Sequence, residues 1–333
     1  MSLKIVFFGT PDFAVPTLTA LLNHSEMQVT AVVTQPDRRR GRGAQLIPSP
    51  VKQAAAEAQI PVWQPPRLRK CSETLTQLAE TQADAFVVVA YGQLLSPAVL
   101  AMPRLGCINV HGSLLPHYRG AAPIQWSLCR GDRETGITTM LMDEGMDTGA
   151  MLLKAPLAVP FLANAEEVAE ILAQIGADLL ITTLIELKEG RLSPEPQDDG
   201  QATYAPLLKK EDFALSWSRS ALDLHHQIRG FYPHCFSQWQ GQTLKILSAV
   251  PLEPDYYPLL PPDLSSALEA LTLPQTDAAP GTLVACFKSL GPVIQTGAGL
   301  LLLREVQLPG KRPQSGWDWV NGRRLQPGEQ LFS

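Results

Sequence analysis

The densest polar chemistry in this 333-residue chain lies between Gly106 and Pro116, in the run Gly-Cys-Ile-Asn-Val-His-Gly-Ser-Leu-Leu-Pro. Asn109 and His111 stand one residue apart at the end of an apolar stretch that reads as a strand. That spacing puts both side chains on one face of it. Gly112 lets the chain turn sharply afterwards, and Pro116 with Gly120 keeps the next residues in a loop. A neutral imidazole accepts a proton near physiological pH, and a side-chain amide donates to an oxygen gaining negative charge. A carboxylate that orients the pair is offered by Met142-Asp143-Glu144-Gly145-Met146-Asp147-Thr148-Gly149, where Asp147 has a glycine two residues away on either side. Asn109, His111 and Asp147 together suit attack by an amine on a carbonyl-type carbon. The same residues also read as a structural strand-end histidine, a turn-forming asparagine and a plain Asp-x-Gly turn, and spacing alone does not separate the two readings.

The elements that must position this set are set out by periodicity. Strands are expected at Leu3–Phe8, Val29–Val33, Pro61–Trp63, Ala85–Ala90 and Cys107–Val110, with helices at Ala14–Leu22, Pro50–Gln59 and Ser72–Glu80 between them. Strands alternating with helices imply an α/β domain with a doubly wound parallel sheet, and such sheets bind ligands beyond the carboxyl ends of their strands. Further strands are expected within Ile137–Val159, then a long helix over Asn164–Lys188 capped by Asn164. Residues 190–206, rich in Pro, Gly and Asp, read as a linker between a domain at 1–189 and one at 207–333. In the latter, short strands at Thr243–Leu247, Thr282–Phe287, Pro292–Thr296 and Leu300–Val306 suit a small β-barrel. The stretch 251–281 holds five acids and no base, is rich in Pro and Leu, and is expected to be a loop with one helix at Leu264–Leu271.

Several functions are excluded. Gly9-Thr10-Pro11-Asp12 follows the first strand with a single glycine, so the glycine pattern for a dinucleotide pyrophosphate is missing, and there is no Walker A sequence. Five scattered cysteines form no Cys-x-x-Cys pair, which argues against a disulfide framework and a structural zinc site. No run of eighteen apolar residues suggests a membrane span, and the apolar stretch at Ile5–Gly9 is short for a signal peptide, so an intracellular protein is expected. The net charge of −5 does not advertise a polyanionic partner, yet outside 251–281 the C-terminal part is basic. A basic face is compatible with an acidic total.

The stretch Gly106–Leu152 resembles the folate-dependent formyltransferases, through Asn109, His111, Ser113-Leu114-Leu115-Pro116 and Asp147 in its Asp-x-Gly-x-Asp-x-Gly context. Three more segments are similar to the branch that acts on methionyl-tRNA: the opening from Ile5 to Leu18, the loop Thr34–Lys52, and Ala90–Leu95. The resemblance implies a Rossmann-like N-terminal domain and a C-terminal barrel resembling the OB-fold. It implies 10-formyltetrahydrofolate as formyl donor and initiator methionyl-tRNA as acceptor, in a cytoplasmic monomer that uses no metal and meets no membrane. Asn109 would polarise the formyl oxygen, His111 handle the proton and Asp147 hold the relay. Ser113 to Pro116 would lie along the folate, with Phe86, Tyr91 and Gly92 helping to wall the pteridine.

Between Asp37 and Gln45, four arginines fall within five positions, with Gly41 and Gly43 among them. This segment lacks the means to form a core and suits phosphate contact. On composition alone a solvated loop is the better reading; with the resemblance, Arg38, Arg40 and above all Arg42 are expected to touch RNA. Trp217, Arg229, Lys311, Arg312 and Arg323-Arg324 are weaker candidates, for a basic surface on the barrel. The other formyl acceptor considered is a nucleotide amino sugar or other small amine, which needs neither the arginine loop nor the barrel. A third possibility is an RNA-binding protein without turnover, which has no use for Asn109, His111 and Asp147.

Overall fold

The computed structural model describes residues 2–40 and 45–332. It divides into two compact units: residues 1–123, 135–157 and 169–205 form one, and residues 124–134, 158–168 and 206–333 the other.

In the first unit the chain runs β1 (Leu3–Gly9), α1 (Val15–Asn23), β2 (Met27–Val33), β3 (Arg38–Arg40), β4 (Gln45–Ile47), α2 (Pro50–Glu57), β5 (Val62–Trp63), α3 (Ser72–Glu80), β6 (Ala85–Val89), α4 (Pro97–Leu100), β7 (Cys107–His111) and β8 (Arg119–Gly120). After α5 (Pro123–Cys129), which belongs to the second unit, come β9 (Glu134–Leu141), β10 (Met151–Ala158), α6 (Ala165–Lys188) and β11 (Tyr204–Ala205). Seven strands make one sheet in the order β10-β9-β7-β6-β1-β2-β5. The five from β7 to β5 are parallel, as expected of the α/β alternation, while β9 joins β7 antiparallel. Every residue of β6 is buried, as its unbroken Ala-Phe-Val-Val-Val run requires of a strand covered on both faces. Ser49 caps α2 by accepting from the Lys52 amide at 3.1 Å, with Pro50 in the first turn.

The 24-residue α6 is long and apolar enough to cross a membrane by length and composition alone. Its Leu172, Leu180 and Leu184 are nonetheless fully buried, and Thr183 shares a 2.9 Å hydrogen bond with Thr139 of β9. Those contacts make it a core helix of a globular unit. Asn164 caps it, accepting from the amides of Glu166 and Glu167 while the Glu167 carboxylate accepts from the Asn164 amide.

Two segments depart from the sequence expectation. The arginine-rich stretch, expected as a loop, has its arms paired as an antiparallel hairpin, Arg38 opposite Ile47 and Arg40 opposite Gln45. A hairpin needs only a backbone ladder, and the β-prone Leu46-Ile47 supplies the partner without a core. The segment expected as a linker is part of the first unit: β11 pairs with β8, Tyr204 opposite Arg119 and Ala205 opposite Gly120. Pro and Gly spacing marks irregular chain but does not tell whether it is packed.

The second unit carries α7 (Ala221–Gly230), β12 (Phe236–Trp239), β13 (Gln242–Pro251), α8 (Pro262–Glu269), β14 (Leu283–Phe287), β15 (Gly291–Gln295), β16 (Leu300–Gln307), β17 (Gln314–Ser315) and α9 (Gly316–Arg323). Its antiparallel sheet runs β12-β13-β16-β15-β14, with β17 on β16. Strand β16 explains the 251–281 stretch. Leu301 and Leu303 face a core with Trp239, Trp319 and Phe332, whereas Leu302 and Leu300 face a second cluster with Tyr257, Leu260 and Leu268. The acidic stretch is thus a cover that lets one strand bury leucines on both faces. Trp217 and Arg229, offered as surface candidates for RNA, are buried, Trp217 stacked on Phe332 at 4.5 Å. Apolar packing holds Trp217 in the core, and Arg229 is kept inside by donating from Nη1 to the Pro160 and Ala163 carbonyls.

Candidate active site

Strand β7 ends the parallel part of the sheet, and its last residues project beyond the carboxyl ends. Asn109 lies between Val88 of β6 and Met140 of β9, and His111 opposite Thr138. The loop after β9 then brings Asp147 back. Its Oδ1 accepts from Asn109 Nδ2 at 3.4 Å, and its Oδ2 accepts from the Gly120 amide at 2.8 Å. The same Oδ2 lies 3.7 Å from His111 Nδ1. The three groups named from the sequence as a catalytic set therefore meet around one point.

Two backbone features make the Asp147 loop possible. Asp147 itself has φ +55°, a left-handed conformation that Asp tolerates better than most residues. Gly149 has no room for a side chain, since a Cβ there would stand 1.8 Å from the Leu141 carbonyl oxygen. Asp143 steadies the loop, accepting from the Gly145 amide and from Thr148 Oγ1.

His111 has its orientation set from the opposite side. Its Nε2 is 2.9 Å from the Tyr118 carbonyl. A carbonyl only accepts, so Nε2 carries the hydrogen and the neutral ring keeps its lone pair on Nδ1, the nitrogen facing Asp147. The side chain is 6% exposed and that of Asp147 18%, so their electrostatic interaction is far less screened than at the surface. Asn109 is half-buried. Its amide nitrogen has two hydrogens, so one remains for a ligand oxygen beyond the bond to Asp147.

The Ser113–Pro116 element builds the turn rather than offering polar groups. Ser113 Oγ donates to the His117 carbonyl at 2.5 Å, and Thr138 Oγ1 bridges the Ser113 carbonyl and the Leu115 amide. Ser113, Leu115 and Pro116 are buried, whereas Leu114 is half-buried and lies over Gly136 of β9. Phe86 is buried in the core against Phe8, which corrects its expected place on a ligand wall: strand β6 is covered on both faces up to its end. Tyr91 and Gly92, just past the end of that strand, line a cavity of about 250 Å³ with Thr10, Gln35, Arg38 and Ser49. Gly92 is exposed with φ +83°.

Of the RNA candidates, Arg38 is exposed on the rim of that cavity, and Arg42 lies outside the described residues. Arg40 contributes backbone to β3. Lys311 and Arg312 are exposed in the β16–β17 connection, and Arg323 lies 5.4 Å over the Trp239 ring. Two residues with no sequence signal also reach the site. Gln197 donates to the carbonyls of Asp147 and Gly149 at 2.7 and 2.8 Å, and the buried Arg119 donates to Gln197. One glutamine in a Pro-Asp-Gly stretch and one arginine in a turn give no pattern by which to find them.

The chain belongs to the formyl transferase family: the Formyl transferase model matches residues 3–184 and the Formyl transferase C-terminal domain model residues 207–324. The methionyl-tRNA formyltransferase of Gloeothece citriformis is 59% identical over 332 residues, 99% of either chain. That of Synechocystis sp. is 59% identical over 325 residues, 97% of this chain and 98% of its own. Identity of that extent sets the chain among the methionyl-tRNA formyltransferases. Among solved structures, the sugar 3N-formyl transferase WlaRD, crystallised with dTDP and 5-N-formyl-THF, superposes with TM-score 0.63 at 15% identity over 94% of this chain and all of its own. HypX from Aquifex aeolicus, in complex with tetrahydrofolic acid, does so at 0.58 and 13% identity over 96% of this chain and 47% of its own. At that identity the likeness is one of fold.

Proposed function

We propose that the protein moves the formyl group of 10-formyltetrahydrofolate onto the amino group of methionyl initiator tRNA. The observation that carries this is the meeting of Asn109, His111 and Asp147 at the end of β7, in a chain 59% identical to methionyl-tRNA formyltransferases. Asn109 donates to the formyl oxygen, which gains negative charge as the amine nitrogen bonds to the formyl carbon. His111 Nδ1 takes the proton that nitrogen sheds, and Asp147 Oδ2 stabilises the imidazolium. The C–N bond to the carrier then breaks, and the proton returns to the departing nitrogen. Polarisation and proton transfer are both supplied by side chains, so the reading calls for no metal.

Formylated folate suits the cavity beside Tyr91 and Gly92. An exposed glycine there allows close approach of a flat ring, and Leu114 offers apolar contact nearer the catalytic groups. In this reading residues 1–189 hold the folate and the chemistry, with the segment that follows packed on them through β11, and residues 207–333 hold tRNA. Arg38, Arg40 and Arg42 meet the acceptor end, and Lys311 and Arg312 contact phosphates. A tRNA substrate places the protein in the cytoplasm, and we take the working form to be a monomer.

The test is to give the purified protein formylated folate with either methionyl initiator tRNA or a nucleotide amino sugar. The proposal expects product on the tRNA. Formylation of the sugar alone would refute it, and 59% identity to tRNA-directed enzymes already disfavours that outcome.

A further inference from the structure

Three consecutive residues, Tyr118, Arg119 and Gly120, organise the site from one side. The Tyr118 carbonyl fixes His111, and the Gly120 amide holds Asp147 Oδ2. The side chain between them points elsewhere. Arg119 is 2% exposed, and its guanidinium donates through Nε to Gln197 Oε1 at 3.0 Å and through Nη2 to Asp199 Oδ1 at 2.8 Å. A charge so buried is retained only with partners, and both of these come from the 190–206 segment. Gln197 in turn is engaged at both ends of its amide. The nitrogen donates to the carbonyls of Asp147 and Gly149, and the oxygen accepts from Arg119.

We propose that Gln197, oriented by Arg119, is a positioning residue for formyl transfer: it clamps the backbone at Asp147 and Gly149 and thereby sets where the Asp147 carboxylate stands against His111. The inference rests on the function proposed above. The left-handed backbone of Asp147 is a conformation the chain leaves readily without support, and rotating it would swing the carboxylate away from Asn109 and His111. No large rearrangement is needed, because a displacement of about 1 Å in a catalytic group is enough to cost about a hundredfold in rate. The segment thus takes part in the site without touching the reacting atoms.

Gln197→Glu separates positioning from mere packing. The glutamate is isosteric and keeps its oxygen on Arg119, now as an ion pair, but its carboxylate has no hydrogen to give the two carbonyls. In the full-length protein we expect kcat to fall about 10- to 100-fold, out of proportion to any fall in the thermal midpoint, with KM for both substrates close to those of the parent. Gln197→Ala should lose at least as much kcat and also lower the thermal midpoint, and Arg119→Lys, which keeps the charge but not the paired donors, should fall between parent and Gln197→Glu. Parental kcat in Gln197→Glu overturns the proposal. So does a kcat loss that only tracks a fall in the thermal midpoint across the three variants, which would make the contact structural. His111→Ala run alongside distinguishes the two levels: if it too keeps parental kcat, the proposed chemistry fails, whereas loss there with parental kcat in Gln197→Glu removes the clamp alone.

Discussion

Asp147→Asn isolates the charge at the centre of the site. The substitution keeps the side chain's shape, and asparagine is as much at home as aspartate in the left-handed backbone there. Its amide oxygen still accepts from the Gly120 amide, so the loop is expected to stay in place, while the NH2 that replaces Oδ1 no longer accepts from Asn109 and the long 3.4 Å bond there is lost with the charge. The change removes the attraction between the carboxylate and a protonated His111 ring 3.7 Å away. Coulomb's law sets that attraction at about 1 kcal/mol in a water-like medium and about 4 kcal/mol at an effective dielectric of about 20. The near-closed surroundings of both groups favour the upper part of this range, so kcat should fall about 100- to 1,000-fold. Formylated and free methionyl-tRNA separate on an acid gel, and kcat and KM are obtained from initial rates. Both KM values should change little, because the charge matters once the proton has moved. A kcat within about threefold of the parent, a difference under about 1 kcal/mol, would refute the role given to Asp147.

Asn109→Ala should lower kcat about 100- to 1,000-fold without weakening tRNA binding, as removal of a donor to a developing oxyanion does; loss of tRNA affinity instead would contradict the role. Arg38→Glu should raise KM for tRNA while leaving KM for the folate donor alone, and the salt dependence of tRNA binding should flatten by about one unit in slope. Gly149→Ala should inactivate the protein, since the new methyl has only the Leu141 carbonyl to displace; full activity would show the loop shifts freely. Burial pulls His225 in the second unit down to about 4, against the Ala249 and Phe161 carbonyls that favour its protonated ring. The unfolded chain then binds the proton first, so this stabilisation is complete above pH 6.5 and is lost as the pH falls toward 4, about 3 kcal/mol in all. Urea midpoints at about pH 7 and about pH 4.5 should differ less in His225→Gln than in the parent, and an unchanged difference would contradict it.

The legible parts of this protein are those written in periodicity and in residue type. The α3 helix at Ser72–Glu80, the fully buried β6 and the Asn164 cap come directly from local pattern. Asn109 and His111 are visible because a two-residue spacing on a strand leaves little choice of face, and Asp147 because two glycines frame it. Contacts between distant segments are not visible. Gln197 reaches Asp147 across fifty residues of chain, and nothing near Gln197 signals where its amide points. Phe86 fails as a ligand contact for a related reason: its strand ends at the site, but a strand covered on both faces keeps its side chains in the core. The four leucines of β16 show the converse, as their unbroken run makes sense only with the acidic stretch covering the second face.

Formyl transfer by this route requires one reactive carbon served by Asn109, His111 and Asp147 together. A crystal structure with a non-transferable formyl-folate analogue tests this directly. The formyl oxygen is expected within hydrogen-bond reach of Asn109 Nδ2, with His111 Nδ1 and Asp147 Oδ2 facing the path of the incoming amine. An analogue bound with its formyl group away from those three side chains would contradict it.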